Sequence, residues 1–451
     1  MRLTLIHPCI GRRPGQRYIR SWQMEPLPPA TIAGLTPADV DVRFYDDRME
    51  RIPFDEPTDL VGISVETYTA KRAYQIATEY RKRGVPVVMG GFHPTLCPAD
   101  AAAFADAVVI GEAESVWPLL IDDFRHGRMN QTYKANGRPS LENLRPDRRI
   151  FQGKRYLPIG LIEAGRGCHF RCDFCAVQAM FNSTQTRRPL DGILSEIAAI
   201  RNTKKLFFFV DDNITSNLSE AKAFLRALAP MKIRWVSQSS INAAHDEEFL
   251  SLLGESGCRG LLIGFESLDP SVLAAMNKSF NAMRGGYEVA LANLRRHRLR
   301  LYATFIFGYD ADTPESFRRA VDFAQAHRFY IAAFNHLTPF PGTPLYRRLE
   351  AENRLLFERW WLDDRYRYNM VPFQPAAMGP EALQRYCLEA RRSFYAWSSI
   401  AARALDPVNS ADMFMFRNFF PINAMLRVDT NRRDGYPLGD ESWQGPLLPI
   451  H

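Results

Sequence analysis

Strand-sized apolar runs alternate with helical patterns twice along this chain, and that alternation limits its possible folds more than any single motif does. The first series comprises Arg2 to Ile6, Val40 to Tyr45, Leu60 to Val65, Val85 to Met89 and Ala107 to Ile110. Between them, Lys71 to Lys82 sets Ala73, Ile76, Ala77 and Tyr80 at helical spacing, and Pro98 to Phe104 reads as another helix. Strands separated by helices predict a parallel, doubly wound α/β sheet in residues 1–130. Ligands of such sheets lie beyond the carboxyl ends of the strands. Those ends hold His7-Pro8-Cys9, Ser64-Val65-Glu66-Thr67 and Gly90-Gly91-Phe92-His93. Asn, Gly, Pro, Arg and Lys then dominate, so residues 131–156 read as a linker. The second series is Ile159 to Glu163, Leu206 to Val210, Ile233 to Val236, Leu261 to Phe265, Tyr302 to Phe307 and Ile331 to Leu337. These βα units, without a dinucleotide signature, predict a partial (β/α)6 TIM-like barrel over 157–346, because eight units would need more chain. Residues 347–451 read as a mainly helical cap. Glu381 to Ala404 forms one helix with an aromatic stripe (Tyr386, Phe394, Tyr395, Trp397), and an irregular Pro-rich tail follows. The stripe would either close the barrel mouth or pack in the core.

Composition narrows the class further. Apolar residues at 46% and charged residues at 24% are ordinary globular usage. No run reaches the roughly eighteen apolar residues of a membrane span, and the N-terminal apolar run breaks too early for a secretory signal. A cytoplasmic protein without a membrane span is expected. Net charge is +7, but Lys and Arg are dispersed along the chain. A nucleic-acid partner is therefore not expected, while an anionic small molecule stays open. Of seven cysteines, Cys168, Cys172 and Cys175 fall within eight positions and the rest are scattered. Thiolates so close together suit zinc or an iron–sulfur cluster. Zinc would want a fourth ligand, which His169, as the neighbour of Cys168, is badly placed to give. Three thiolates suit a [4Fe–4S] cluster with one iron left open; structural zinc and plain buried cysteines are the alternatives.

The run Cys168-His169-Phe170-Arg171-Cys172-Asp173-Phe174-Cys175 resembles the hallmark of the radical S-adenosylmethionine (SAM) superfamily: C-x3-C-x2-C with an aromatic before the last cysteine. The resemblance implies a partial barrel with the cluster loop after its first strand, where barrel enzymes keep their chemistry. It implies that Cys168, Cys172 and Cys175 hold the cluster. The open iron then chelates SAM, and reduction cleaves SAM to a 5′-deoxyadenosyl radical that abstracts a substrate hydrogen. An external one-electron reductant such as flavodoxin or ferredoxin is implied as partner, beside a small-molecule substrate. By position, Asp212 and Asn213 resemble the segment that meets the methionine ammonium. Gln238 and Ser240 are candidates for ribose or carboxylate, Glu266 for a polar contact, and Phe174 and Phe340 for the surroundings of the adenine. Tyr302, Tyr309, Asn335 and His336 lie near strand ends and are candidates to face the substrate.

A Rossmann-like domain ahead of the barrel is similar to that of the cobalamin-binding radical SAM class. Val61-Gly62-Ile63-Ser64-Val65, Val87-Val88-Met89-Gly90-Gly91-Phe92-His93-Pro94 and Val109-Ile110-Gly111-Glu112-Ala113-Glu114 show that similarity. The resemblance implies cobalamin as a third cofactor, with Ser64, Glu66, Thr67, Gly90, Gly91, Phe92 and His93 as its candidate contacts. Here His7-Pro8-Cys9-Ile10-Gly11 stands where cobalamin proteins with a histidine lower ligand carry Asp-x-His-x-x-Gly. The expected activity is cobalamin-dependent methylation of an unactivated carbon. The alternatives are a cobalamin-independent radical dehydration, cyclisation or epimerisation of a secondary metabolite such as an aminoglycoside, and an iron–sulfur binding protein without turnover. RNA methylthiolation would require a second cysteine triad, which the sequence lacks.

Overall fold

The strands of the N-terminal half pair in parallel throughout. They are β1 (Arg2–His7), β2 (Asp41–Asp46), β3 (Leu60–Ser64), β4 (Val87–Gly90), β5 (Ala107–Ile110) and β6 (Thr132–Lys134), in the spatial order β2-β1-β3-β4-β5-β6. The computed structural model describes residues 1–450 apart from 17, 19–22, 283 and 284. Strand order reverses between β1 and β3, so the crevice beyond their carboxyl ends is the ligand position of a doubly wound sheet. β6 corrects the reading of 131–156 as linker: Thr132–Lys134 is the sheet's edge strand. With only Tyr133 buried among three residues, it leaves no periodicity to detect.

The second half holds β7 (Ile159–Ile162), β8 (Leu206–Phe209), β9 (Trp235–Ser239), β10 (Cys258–Glu266), β11 (Arg300–Phe307) and β12 (Ile331–His336). They form one parallel sheet in sequential order, with β7 and β12 at its two edges. Alternation along each strand separates two faces. On β11, Leu301, Ala303, Phe305 and Phe307 are buried against the helical layer, while Tyr302, Thr304 and Ile306 are only half-buried on the inner side. The architecture is thus a parallel sheet curved into a partial barrel, with its inner face left accessible.

An open barrel leaves an edge strand with unpaired carbonyls, which must be covered. The C-terminal helices cover it. Arg391 Nε donates to Phe334 O at 2.8 Å, Tyr395 Oη to Ala332 O at 2.9 Å, and Arg403 Nη1 to Tyr330 O at 3.1 Å. Phe394 and Tyr395 are buried in the barrel core, so these members of the stripe pack there; Trp397 is exposed. The expected single helix is two, Pro380–Phe394 and Trp397–Ala404, broken where Ala396 turns extended. The tail expected to be irregular contains a helix, Met413–Arg433, with Pro421 inside it. Burial of Met415 and Phe419 against the barrel outweighs the helix-breaking proline. Residues 347–451 are also more than a cap. Trp360 and Trp361 are buried in the N-terminal core, and Gly439–Asp440 pairs with Gly11–Arg12. No helix among the described residues is long and apolar enough to cross a membrane.

Candidate functional site

The cysteine loop is built by backbone constraints before any side chain acts. Beyond β7, Gly165–Gly167 pairs antiparallel with Gln185–Arg187. Gly167 has φ +89°, and a Cβ there would fall 2.0 Å from Thr184 O, so only glycine closes this hairpin. Cys168, Cys172 and Cys175 follow as free thiols. Asn213 Nδ2 lies 3.6 Å from Cys168 Sγ, and Cys175 N donates to Cys172 O at 3.3 Å. Burial, reinforced by the charge of Cys175, Glu266 and Cys168, pushes the Cys172 thiol up to about 12, with Lys278 opposing. A thiol so placed becomes a thiolate when a metal takes the proton's place. A structural zinc site wants a fourth protein ligand, whereas three thiolates complete a cubane whose fourth iron stays open. The donor set therefore fits a [4Fe–4S] cluster better than zinc.

Polar groups from the next strands converge on this loop. Asp212 Oδ2 accepts from Gly167 N at 2.7 Å, and Gln238 Nε2 donates to Asp212 O at 2.8 Å. Asn213 Nδ2 also reaches Ser240 Oγ at 3.3 Å, so Cys168, Asn213 and Ser240 form one group beside the Asp212–Gln238 pair, joined to it through the adjacent residues 212 and 213. Burial raises the Asp212 carboxyl to about 6. Gln238 is exposed on the inner face of β9 and free to meet a ligand with its remaining polar atom. Glu266 ends β10 with φ +61°, a left-handed conformation in a non-glycine residue, at an irregularity of the strand register. Such strain persists where surrounding structure enforces it, often at functional sites. The Glu266 carboxylate is held by Lys278, whose Nζ is 2.6 Å from Glu266 Oε1. Sequence reasoning missed Lys278, because it sits in a loop twelve positions on with no periodic signal.

The remaining candidates divide. Phe174 packs on the barrel core, whereas Phe340 packs against the N-terminal core between Tyr68 and Trp360, at 5.9 and 6.1 Å between ring centroids. Tyr302 and Asn335 lie on the inner face. His336 and Tyr309 are buried away from it, which corrects their expected substrate-facing role. Burial lowers the His336 ring to about 4, and its Nδ1 meets Leu337 O at 2.9 Å. Tyr309 instead donates to Asp173 Oδ1, bracing the cysteine loop.

At the reversal point of the N-terminal sheet, Glu66 is accessible, yet the surrounding protein pushes its carboxyl up by burial, as befits a side chain lining a recess. His7 Nδ1 is buried there without a partner among the described residues. Ser64, Gly90, Gly91 and Phe92 are half-buried around the same strand ends. An orphaned ring nitrogen and an open carboxyl at the ligand crevice fit a large polar cofactor. Thr67 is buried. One expected contact, His93, needs correction: it is sealed at 0% exposure with Nε2 3.0 Å from both Tyr74 Oη and Asp100 Oδ2. Asp100 also accepts from Trp361 Nε1 at 2.9 Å, so His93 helps fasten the C-terminal segment and is shut off from the crevice. Gly91 likewise serves chain packing, since a Cβ there would lie 2.8 Å from Val65 O.

Comparison with known proteins agrees with this arrangement. The family model of the radical SAM superfamily matches residues 162–324, and that of the B12 binding domain matches residues 30–121. The chain is 34% identical over 389 residues to bacteriochlorophyllide d C-12(1)-methyltransferase of Chlorobaculum tepidum, covering 84% of each chain. It is 29% identical over 395 residues to bacteriochlorophyllide d C-8(2)-methyltransferase of the same organism, covering 83% of this chain and 86% of that one. Among solved structures, the radical SAM methyltransferase TsrM of Kitasatospora setae, with cobalamin and a [4Fe–4S] cluster bound, gives a TM-score of 0.61 at 19% identity. That match covers 87% of this chain and 81% of the other. The cobalamin-dependent radical enzyme OxsB gives a TM-score of 0.67 at 13% identity, over 96% and 72%. Both likenesses concern the fold alone.

Proposed function

The chain belongs to the cobalamin-binding class of radical SAM enzymes, and from that premise we propose that it methylates an unactivated carbon of a chlorin-type tetrapyrrole. The observation that supports this reading most is the 34% identity, over 84% of both chains, to a bacteriochlorophyllide d methyltransferase. The half-buried aromatics Tyr68, Phe340 and Tyr368, backed by the buried Trp360 at 5.0 Å from Tyr68, suit a planar macrocycle.

When bound, the cluster with SAM supplies the hydrogen-abstracting radical, and cobalamin supplies the methyl group. Cys168, Cys172 and Cys175 would hold the cluster. Asp212, Asn213, Gln238 and Ser240 would take the polar groups of SAM, with Glu266 fixed by Lys278 as a further acceptor. His7, Ser64 and Glu66 would line the cobalamin crevice. The protein's own work is placement and shielding: the C-terminal helices close the barrel edge, and the buried outer faces of the strands keep water from entering between them. Electrons would come from a reduced flavodoxin or ferredoxin in the cytoplasm.

The test is anaerobic reconstitution with iron, sulfide and cobalamin, then incubation with a bacteriochlorophyllide and SAM bearing a deuterated methyl group. The expected product gains one labelled methyl, with S-adenosylhomocysteine and 5′-deoxyadenosine as co-products. A ring-closed or dehydrated product without the label would overturn methylation and leave the radical step standing.

A further inference from the structure

The run Gly111-Glu112-Ala113-Glu114 follows β5 in the N-terminal domain, yet its carboxylates do not face the crevice. They meet the cysteine loop. Arg166, two positions before Cys168, places Nη1 3.1 Å from Glu112 Oε1 and 2.6 Å from Glu114 Oε1, and Nε 2.8 Å from Glu163 Oε1. Arg138, from the connecting segment, also binds Glu112 and donates to Thr184 Oγ1 at 2.8 Å and to Arg166 O at 3.3 Å. Its guanidinium lies 4.4 Å from the Phe181 ring centroid, and Phe181 meets Phe92 edge-to-face at 6.0 Å. The side chains of Glu112 and Glu114 are only 5% and 9% exposed. Three carboxylates thus face two guanidinium groups in a nearly dry interface, and Glu114 Oε2 has no partner among the described residues. Replacing such buried pairs with apolar side chains is often neutral or stabilising. Stability alone therefore does not explain why charge is kept here; a forked guanidinium does fix direction and distance as an apolar contact cannot.

We propose that Arg166 is a positioning residue. With Glu112, Glu114 and Arg138 it latches the cysteine hairpin to the N-terminal domain, so that the cluster and cobalamin sites keep one separation. The same hairpin passes through Gly167 N to Asp212, so the latch also sets the register of the SAM-side polar set. The inference rests on the proposed cobalamin-dependent reading.

The variants are Glu114→Gln, which removes one charge and keeps the shape, and Arg166→Lys, which keeps the charge and loses the fork. In the holoenzyme, iron and cobalamin contents stay at wild-type level. The ratio of 5′-deoxyadenosine to methylated product rises about tenfold, since small misplacements of reacting groups are costly. The spin coupling between the reduced cluster and cob(II)alamin changes with it. Wild-type ratio and coupling in both variants would overturn the latch, as would a fall in product that only tracks lost iron. A second measurement needs no cofactor: in the apo chain, amide exchange over residues 165–187 accelerates in both variants while residues 60–64 keep their protection. Unchanged exchange there would also overturn it. If the wild-type enzyme gives no labelled methyl product, the proposed function fails, and the exchange measurement still decides the latch.

Discussion

Lys278 and Glu266 share the space that a glycine leaves open. The ammonium lies 2.6 Å from Glu266 Oε1, and a Cβ on Gly264 would come within 2.7 Å of Lys278 Nζ and 2.1 Å of Glu266 Oε1. Both side chains are nearly buried, at 11% and 7% exposure. Removing one partner of such a pair strands the other charge and costs about 3–5 kcal/mol. Lys278→Met should therefore lower the urea midpoint and weaken SAM binding together, the first read by circular dichroism and the second by calorimetry. Gly264→Ala should weaken SAM binding through displacement of the Glu266 carboxylate. Unaltered SAM affinity in both would remove Glu266 from the site.

Cys172 is the central ligand of the proposed set and the most enclosed of the three. Cys172→Ala should leave a folded chain, reduce iron from about four per chain to a small residue, and abolish 5′-deoxyadenosine formation. Iron counting and chromatography of the nucleoside check this. SAM cleavage retained at wild-type rate would contradict the assignment of the cluster.

The first alternating series was legible in the sequence because burial on both faces of parallel strands demands apolar runs, as Leu60 to Ile63, buried at every position, shows. The second was legible because its strands, such as Leu206 to Phe209, are apolar even where one face is only half-buried. The cysteine spacing was legible because its signal is local. What escaped depends on contacts between distant residues. Thr132–Lys134 becomes a strand only because Val108 to Ile110 offers an edge. His93 sits beside two glycines at a strand end, as a ligand contact would, and only the fold shows that Tyr74, Asp100 and Trp361 enclose it. Arg166 and Glu114 are 52 positions apart in the sequence, and neither bears any local mark of the pairing.

Arg403 is wholly buried, with no carboxylate partner among the described residues. Its guanidinium donates to Phe329 O, Tyr330 O and Asn423 Oδ1 at 3.0 to 3.1 Å and to Phe394 O at 3.1 Å, and it stacks 3.9 Å from the Phe394 ring centroid. Burial lowers its pKa to about 10, so it stays charged at neutral pH. Arg403→Met should strand several carbonyl acceptors at about 1–3 kcal/mol each, enough to loosen the C-terminal helices from β12. Limited proteolysis should then cut between residues 396 and 433 while residues 2–110 resist. Arg403→Lys should rescue little, since an ammonium cannot span the four acceptors.

Asp211 gives the apo chain a pH dependence of definite sign. Its carboxyl is buried at 2% exposure and accepts from Ala164 N at 2.8 Å; Oδ2 makes no hydrogen bond among the described residues and lies 3.7 Å from Arg187 Nη1. Burial raises its pKa from 3.8 to about 7, with Arg187 only partly opposing. The folded state therefore prefers the protonated acid, while the unfolded chain ionises near its ordinary value. The stabilising contribution is fully present below about pH 4 and is lost as pH rises through about 7, a swing of roughly 4 kcal/mol at 1.36 kcal/mol per pKa unit. Asp211→Asn keeps the acceptor for Ala164 N and cannot ionise. Urea denaturation of the apo chain from pH 5 to pH 8 should show the wild type losing stability relative to this variant. Parallel curves across that range would mean that Asp211 is ionised in the fold throughout, held so by Arg187.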